Sequence, residues 1–240
     1  MHRFFIDEID ENNIYITGND AKHIGFSLRM KQGENLIICC CGIDYFCSVR
    51  SITNDTVYLD LIEKHRCAAE PNVEVTLFQA IPKLDKFEYI IQKSVELGVT
   101  RIVPVLTRRC ISRPDERSFE KKLLRLRKIA EEAAKQSGRG IIPEVLSVVS
   151  YKKALEMMCD LDKNLFFYEE KGGKSFAEVD FNDVKTIGIF VGSEGGFDSD
   201  EALAADSVGV DRIWLGKRIL RCETAPITAL SILMFLTNNM

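Results

Sequence analysis

The sequence predicts an α/β protein in two parts: a small antiparallel β unit, then a larger, mostly parallel sheet with helices on both faces. Three observations carry this. Residues 1–68 hold only short β-type runs broken by turn-forming clusters. From residue 73 onward, strand-like runs alternate with helix-like ones, the rhythm of a parallel sheet. The chain has 240 residues, 46% hydrophobic and 28% charged, enough for a sizeable core and unlike a disordered chain, a fibre or a disulfide mini-protein.

In the first part the expected strands are Ile14–Ile16, Leu36–Cys40, Tyr45–Val49 and Thr56–Leu59, with turns at Gly42-Ile43-Asp44 and Thr53-Asn54-Asp55 and a short helical piece near Asp20 to Leu28. The stretch from Arg66 to Asn72, with Pro71, reads as a linker. The second part opens with a strand over Val73–Ala80. A helix over Asp85–Leu97 follows, with Asp85 as N-cap, Glu88 as its reciprocal partner, an apolar stripe at Phe87, Ile90, Ile91 and Val95, and Gly98 as terminator. Next come strand Arg101–Leu106 and a long helix over Ser118–Ser137, whose apolar positions keep helical spacing. A helix near 151–158, strands Asn164–Tyr168 and Thr186–Val191, a helix over Ser199–Ala205, strand Arg212–Leu215 and a last helix after Thr224 complete the order. Ligands on such sheets sit outside the carboxyl ends of strands.

The net charge of −4 argues against a uniformly basic nucleic-acid coat. The charge is uneven, however. Residues 101–139 hold 12 Lys/Arg against 5 Asp/Glu, a local +7 that leaves −11 elsewhere. Such a run is often a solvated helix face, yet it also suits a phosphate backbone. The acidic start lacks a secretory pattern, and the longest apolar stretch, Ala225 to Leu236, is too short to span a bilayer, so a cytoplasmic protein without a membrane partner is expected. Eight cysteines, three of them consecutive at 39–41, lack zinc-ligand spacing. Buried reduced thiols and no metal are the expectation.

Two strand-to-helix junctions concentrate the chemistry. Val191-Gly-Ser-Glu-Gly-Gly-Phe197 follows an apolar strand, and its glycines let the backbone approach a ligand and offer amide donors. Leu215-Gly-Lys-Arg-Ile-Leu-Arg-Cys-Glu-Thr-Ala-Pro226 follows the next strand, with Thr224 as expected N-cap and Pro226 in the first turn of a helix. Either segment also reads as a plain tight turn. The glycine spacing does not match a dinucleotide fingerprint, and Gly173-Lys174-Ser175 lacks the leading glycine of a phosphate-binding loop because position 168 is Tyr168. No elbow motif supports a serine or cysteine hydrolase.

These two junctions, together with Arg3-Phe4-Phe5, His23, Leu28-Arg29, Ala80-Ile-Pro-Lys83, Lys93–Gly98 and Ala130–Arg139, resemble the RsmE family of 16S ribosomal RNA uridine-N3 methyltransferases, within the SPOUT superfamily. The likeness covers nearly the whole chain. It implies a PUA-like β-barrel over 1–68 that holds RNA, and a SPOUT methyltransferase domain over 73–240 with a C-terminal trefoil knot and a homodimer interface. The knot comes from the resemblance alone. The family commonly has Pro at the places of Ser193 and Lys217 and Thr at that of Cys222, and its Ser-rich stretch is here Arg109-Cys-Ile-Ser112.

The implied activity is transfer of a methyl group from S-adenosyl-L-methionine to uridine N3 in 16S rRNA of the small ribosomal subunit. The resemblance places Gly192, Glu194, Gly196, Leu215, Gly216, Ile219, Leu220, Arg221, Thr224 and Ala225 around the cofactor; Phe167 and Tyr168, ending a third strand, are expected to line the same pocket, with plain core as the alternative for an apolar strand end. Arg221 is the expected stabiliser of charge on the uracil, and Glu223 a weaker nominee for proton acceptor, although an Arg–Glu pair that merely holds the loop is the plain alternative. Arg3, His23, Arg29, Arg109, Arg113, Lys135 and Arg139 are the expected RNA contacts. N3 lies on the pairing edge, so the target must be unpaired or flipped. Two other readings stay open: a ribose 2′-O-methyltransferase on the same fold, and a non-catalytic RNA-binding protein.

Overall fold

A computed structural model describes residues 1–169 and 173–240, which divide into two compact units: residues 1–70 with 134–142, and residues 71–133 with 143–240. The chain leaves the first unit between Glu70 and Pro71, inside the stretch read as a linker. The return of residues 134–142 has no counterpart in the sequence reading, because Ala134–Ser137 simply continue the apolar spacing of the long helix.

In the first unit the strands are β1 (Arg3–Phe5), β2 (Ile14–Thr17), β3 (Asn35–Cys40), β4 (Ile43–Ile52) and β5 (Thr56–Arg66), in the spatial order β1-β3-β4-β5-β2. All pairs are antiparallel except β1 with β3, which is parallel. The β3–β4 turn is Cys41-Gly42, with φ of 50° and 77°. Two left-handed residues make the tight hairpin that matches strand twist. The expected turn at 42–44 is thus corrected: Ile43 and Asp44 already belong to β4, and Asp44 is buried. Between β2 and β3 the chain forms α1 (Gly18–Lys22) and one π-helical turn, His23–Ser27. Leu36, Ile38, Val49, Val57 and Ile24 are fully enclosed in the core of this unit. Each such side chain contributes roughly 1.5–3 kcal/mol through removal from water.

The second unit is built on an all-parallel sheet. Its strands are β6 (Glu74–Ala80), β7 (Arg101–Leu106), β8 (Glu144–Val145), β9 (Val149–Ser150), β10 (Lys163–Phe167), β11 (Thr186–Val191) and β12 (Asp211–Ile213). The order is β12-β10-β11-β6-β7-β8, with β9 also on β7. Inner strands β6, β7 and β11 are buried almost throughout, as continuous apolar runs between helical layers must be. The helices are α2 (Leu84–Glu96), α3 (Glu116–Ser137), α4 (Tyr151–Met158), α5 (Ser199–Asp206) and α6 (Thr224–Leu236). Asp85 lies in the first turn of α2, not at its cap, which is Lys83; Glu88 pairs instead with Arg125 of α3 at 2.7 Å. The chain builds outward from β6 to β8 and then crosses back, so that β11 lies against β6 on the opposite side from β7. Such a reversal opens a crevice at the carboxyl ends of the strands.

Candidate active site

A cavity of about 900 Å³ opens at the carboxyl ends of β10, β11 and β12. Its wall runs through Phe167, Tyr168 and Glu169 at the end of β10, Val191 to Gly196 at the end of β11, Ile213 to Cys222 at the end of β12, then Ala225 in the first turn of α6 and Lys86 in α2. Phe167 and Tyr168 are buried strand-end aromatics that supply a flat apolar surface, and Arg212 lies 5.5 Å from the Tyr168 ring. The glycines of the 192–196 segment leave little room for a side chain. Gly196 has φ of 64°, and a side chain there would begin 2.5 Å from Glu169 Oε1; one at Gly192 would meet Gly196 Cα at 3.1 Å. Gly216, at φ of 97°, starts a run in which, among the described residues, no protein group accepts from the main-chain N–H groups of Gly216 to Leu220. A concave, largely apolar site of this volume with unspent amide donors fits a small polar molecule carrying a flat ring system.

One ionic cluster ties the wall together. Lys86 Nζ lies 3.1 Å from Glu223 Oε2 and 3.5 Å from Glu194 Oε1. The Lys83 amide donates to Glu194 Oε1 at 3.1 Å, and the Cys222 thiol donates to Glu223 Oε2 at 3.2 Å. Burial raises both carboxyls, but amide, thiol and ammonium contacts outweigh it, and Glu194 and Glu223 are held below the usual carboxylate range. The hydrogen bond to Glu223 raises Lys86 above the ordinary lysine value. Burial, reinforced by Glu223 and Glu194, pushes the Cys222 thiol up to about 12.

Gly192, Glu194, Gly196, Leu215, Gly216, Ile219, Leu220, Arg221 and Ala225 are all brought to this wall, as are Phe167 and Tyr168. Two nominees are not. Glu223 lies outside the wall with its carboxylate spent on Lys86 and Cys222, and a carboxylate held low is a poor proton acceptor. Thr224 is exposed, outside the wall, and is the first residue of α6, whose cap position is Glu223. An Arg221–Glu223 pair is also absent among the described residues; Lys86 takes that place, and the exposed Arg221 side chain has no protein partner there.

The expected RNA contacts separate by burial. Arg139 is 2% exposed and makes a two-point ion pair with Glu70, at 3.0 and 2.7 Å, so it holds no external phosphate. Arg3 is similarly committed, with two bonds of 2.7 and 2.6 Å to Asp44. Lys135 lies 3.9 Å from Asp20 and 6.0 Å from the Phe4 ring centre. Arg113 donates to the carbonyls of Thr107 and Arg108. Arg109 donates to the Gly195 carbonyl at 3.1 Å, which fixes the glycine loop while leaving the guanidinium about half exposed. His23 and Arg29 are exposed, Arg29 in a left-handed conformation.

Sequence reasoning missed Lys86, Glu169 and Trp214 as wall residues. For Lys86 a signal existed, since it falls in the first helical turn after a central strand, at the carboxyl end where ligands bind. Among the described residues no cluster of three or more His, Cys, Asp or Glu is placed to hold a metal ion, and no helix is long and apolar enough to cross a membrane.

A parallel α/β sheet with a glycine-walled cavity at a strand reversal, joined to a small β unit, defines a class: the RNA methyltransferase domain family matches residues 69–234. The particular group follows from full-length relatives. Ribosomal RNA small subunit methyltransferase E of Bacillus subtilis (strain 168) is 36% identical, over 99% of this chain and 97% of that protein. Its namesake in Mesomycoplasma hyopneumoniae (strain 232) is 38% identical over 96% and 98%. The crystal structure of the Neisseria gonorrhoeae enzyme of that name, bound to S-adenosyl methionine, superposes with a TM-score of 0.87 at 30% identity over 98% of each chain. The chain belongs to the ribosomal RNA small subunit methyltransferase E family.

Proposed function

We propose that this chain methylates N3 of a uridine in the 16S RNA of the small ribosomal subunit, with S-adenosyl-L-methionine as donor. The observation that carries this is the cavity between the 192–196 and 215–225 segments, in a family whose Neisseria gonorrhoeae member holds that donor. When bound, the donor supplies a methyl carbon already activated on a sulfonium. The protein's work is therefore alignment and charge control. Amides of Gly216 to Leu220 would hold the polar edges of the donor, and Phe167 and Tyr168 would flank its ring. Arg221, exposed and without a side-chain partner among the described residues, would stabilise the negative charge that develops on the uracil carbonyls as N3 loses its proton.

The first unit serves on this reading as a PUA-like barrel for RNA, with His23 and Arg29 on its surface, and the second as a SPOUT domain with Arg109 beside its cavity. The back-crossing strand order and the docking of α6 on α2 and β11 support a trefoil knot. Exposed Phe235, Leu236 and Ile219 support a homodimer. Ribosomal RNA as substrate supports a cytoplasmic location.

Mass spectrometry of nucleosides from 16S rRNA incubated with protein and donor tests the reading. N3-methyluridine is expected. A 2′-O-methyl product alone, or no product, overturns it.

A further inference from the structure

The Lys86 ammonium is the only cation within ion-pair distance of either Glu194 or Glu223 among the described residues. The two carboxylates come from different segments. Glu194 lies in the glycine segment after β11, and Glu223 closes the segment after β12, immediately before α6. Lys86 comes from a third place, the first turn of α2 after the central strand β6. The same turn reaches Glu194 a second time through the Lys83 amide, where the helix N-terminus favours a negative charge.

Among the described residues no hydrogen bond or ion pair runs directly between residues 192–196 and residues 215–223. Four glycines line the wall, at 192, 195, 196 and 216, and Ile219 in the second segment is 90% exposed. The side chains of Lys86, Glu194 and Glu223 are each about one-fifth exposed, so the pairing is partly shielded from water and from salt. A mainly surface lysine would contribute little in this way; one held between two carboxylates at the rim of a cavity fixes geometry.

We propose that Lys86 is a positioning residue for the methyl donor: its ammonium clamps Glu194 and Glu223 together and so holds the two cavity-forming segments at the spacing that binds S-adenosyl-L-methionine. The inference rests on the reading of the cavity as the donor site. Lys86 acts through the two glutamates and not on the transferred group. Its loss therefore weakens donor binding while leaving the chemical step intact once the donor is saturating.

The experiment compares the full-length wild type with K86M and K86R. Calorimetry gives the Kd for S-adenosyl-L-methionine, and methylation of 16S rRNA gives kcat at saturating donor. K86M, similar in length but uncharged, is expected to weaken the Kd tenfold or more and to keep kcat within threefold. K86R, which restores the cation, is expected to bring the Kd back to within threefold of wild type. If K86M does not fold, K86R decides: native melting with near-native Kd supports the clamp, and native melting with a Kd weakened tenfold or more overturns it. Wild-type binding with an unchanged K86M Kd overturns the role of Lys86 alone, as does a kcat loss that saturating donor does not relieve. Failure of the wild type to bind the donor overturns the reading of the cavity beneath it.

Discussion

Arg139 and Glu70 form a two-point ion pair in which the side chains are 2% and 6% exposed, and the same carboxylate accepts from the Gly140 and Ile141 amides at 2.8 and 3.0 Å. Removing one member leaves the other charge buried without its counter-ion. Arg139→Met and Glu70→Gln are each expected to destabilise the protein by about 3–5 kcal/mol. Urea unfolding curves measure this, and a variant within 1 kcal/mol of wild type would show that the pair is dispensable.

Alkaline pH should weaken the fold through its buried thiols. Burial pushes Cys39 and Cys222 up to about 12 and Cys47 up to about 11, against an ordinary value of 9.0. Above pH 9 the unfolded chain loses these protons while the native one keeps them, so stability falls as pH rises from 9 toward 11–12. Chemical unfolding at pH 8, 9 and 10 is expected to give a declining midpoint. At pH 8 a thiol reagent should label the exposed Cys41 and Cys159 first, and fast labelling of the buried six would contradict the placement.

Gly196→Ala should cost donor affinity more than stability. The position needs φ of 64°, which alone costs about 1 kcal/mol for a residue with a side chain. The added methyl also pushes Glu169 out of its place against the glycine turn. A tenfold or greater loss of S-adenosyl-L-methionine affinity is expected by calorimetry. Gly209→Ala is the control: it has similar backbone strain at φ of 76° but open space around it and no place in the cavity wall, and its affinity should match wild type.

Arg221→Ala should fold normally and lose about 10²-fold in single-turnover methylation, the usual effect of deleting one charge-stabilising donor. An unchanged single-turnover rate would remove Arg221 from the chemistry.

Much of this was legible in the sequence, for definite reasons. Long apolar runs such as Thr186–Val191 have no stable home except the middle of a covered parallel sheet, and the segments after them announce themselves through glycine and clustered charge. Short strands escaped: β1, β8 and β9 have two or three residues and exist because a neighbour offers hydrogen bonds, not because of their own pattern. Charge was the least legible property. Arg139 and Arg109 both belong to one basic stretch, yet one is enclosed against Glu70 and the other half exposed beside Gly195, because their partners lie 69 and 86 residues away in the chain. Lys86 was hidden likewise, since its carboxylates lie more than 100 positions downstream.

The return of residues 134–142 to the first unit has a consequence for synthesis. Glu70 leaves the ribosome long before Arg139, Gly140 and Ile141, the groups that satisfy its carboxylate. Domains usually close in the order in which they are made. Here the amino-terminal unit must wait, with Glu70 and the Cys67 region still open, until more than half of the chain has been translated.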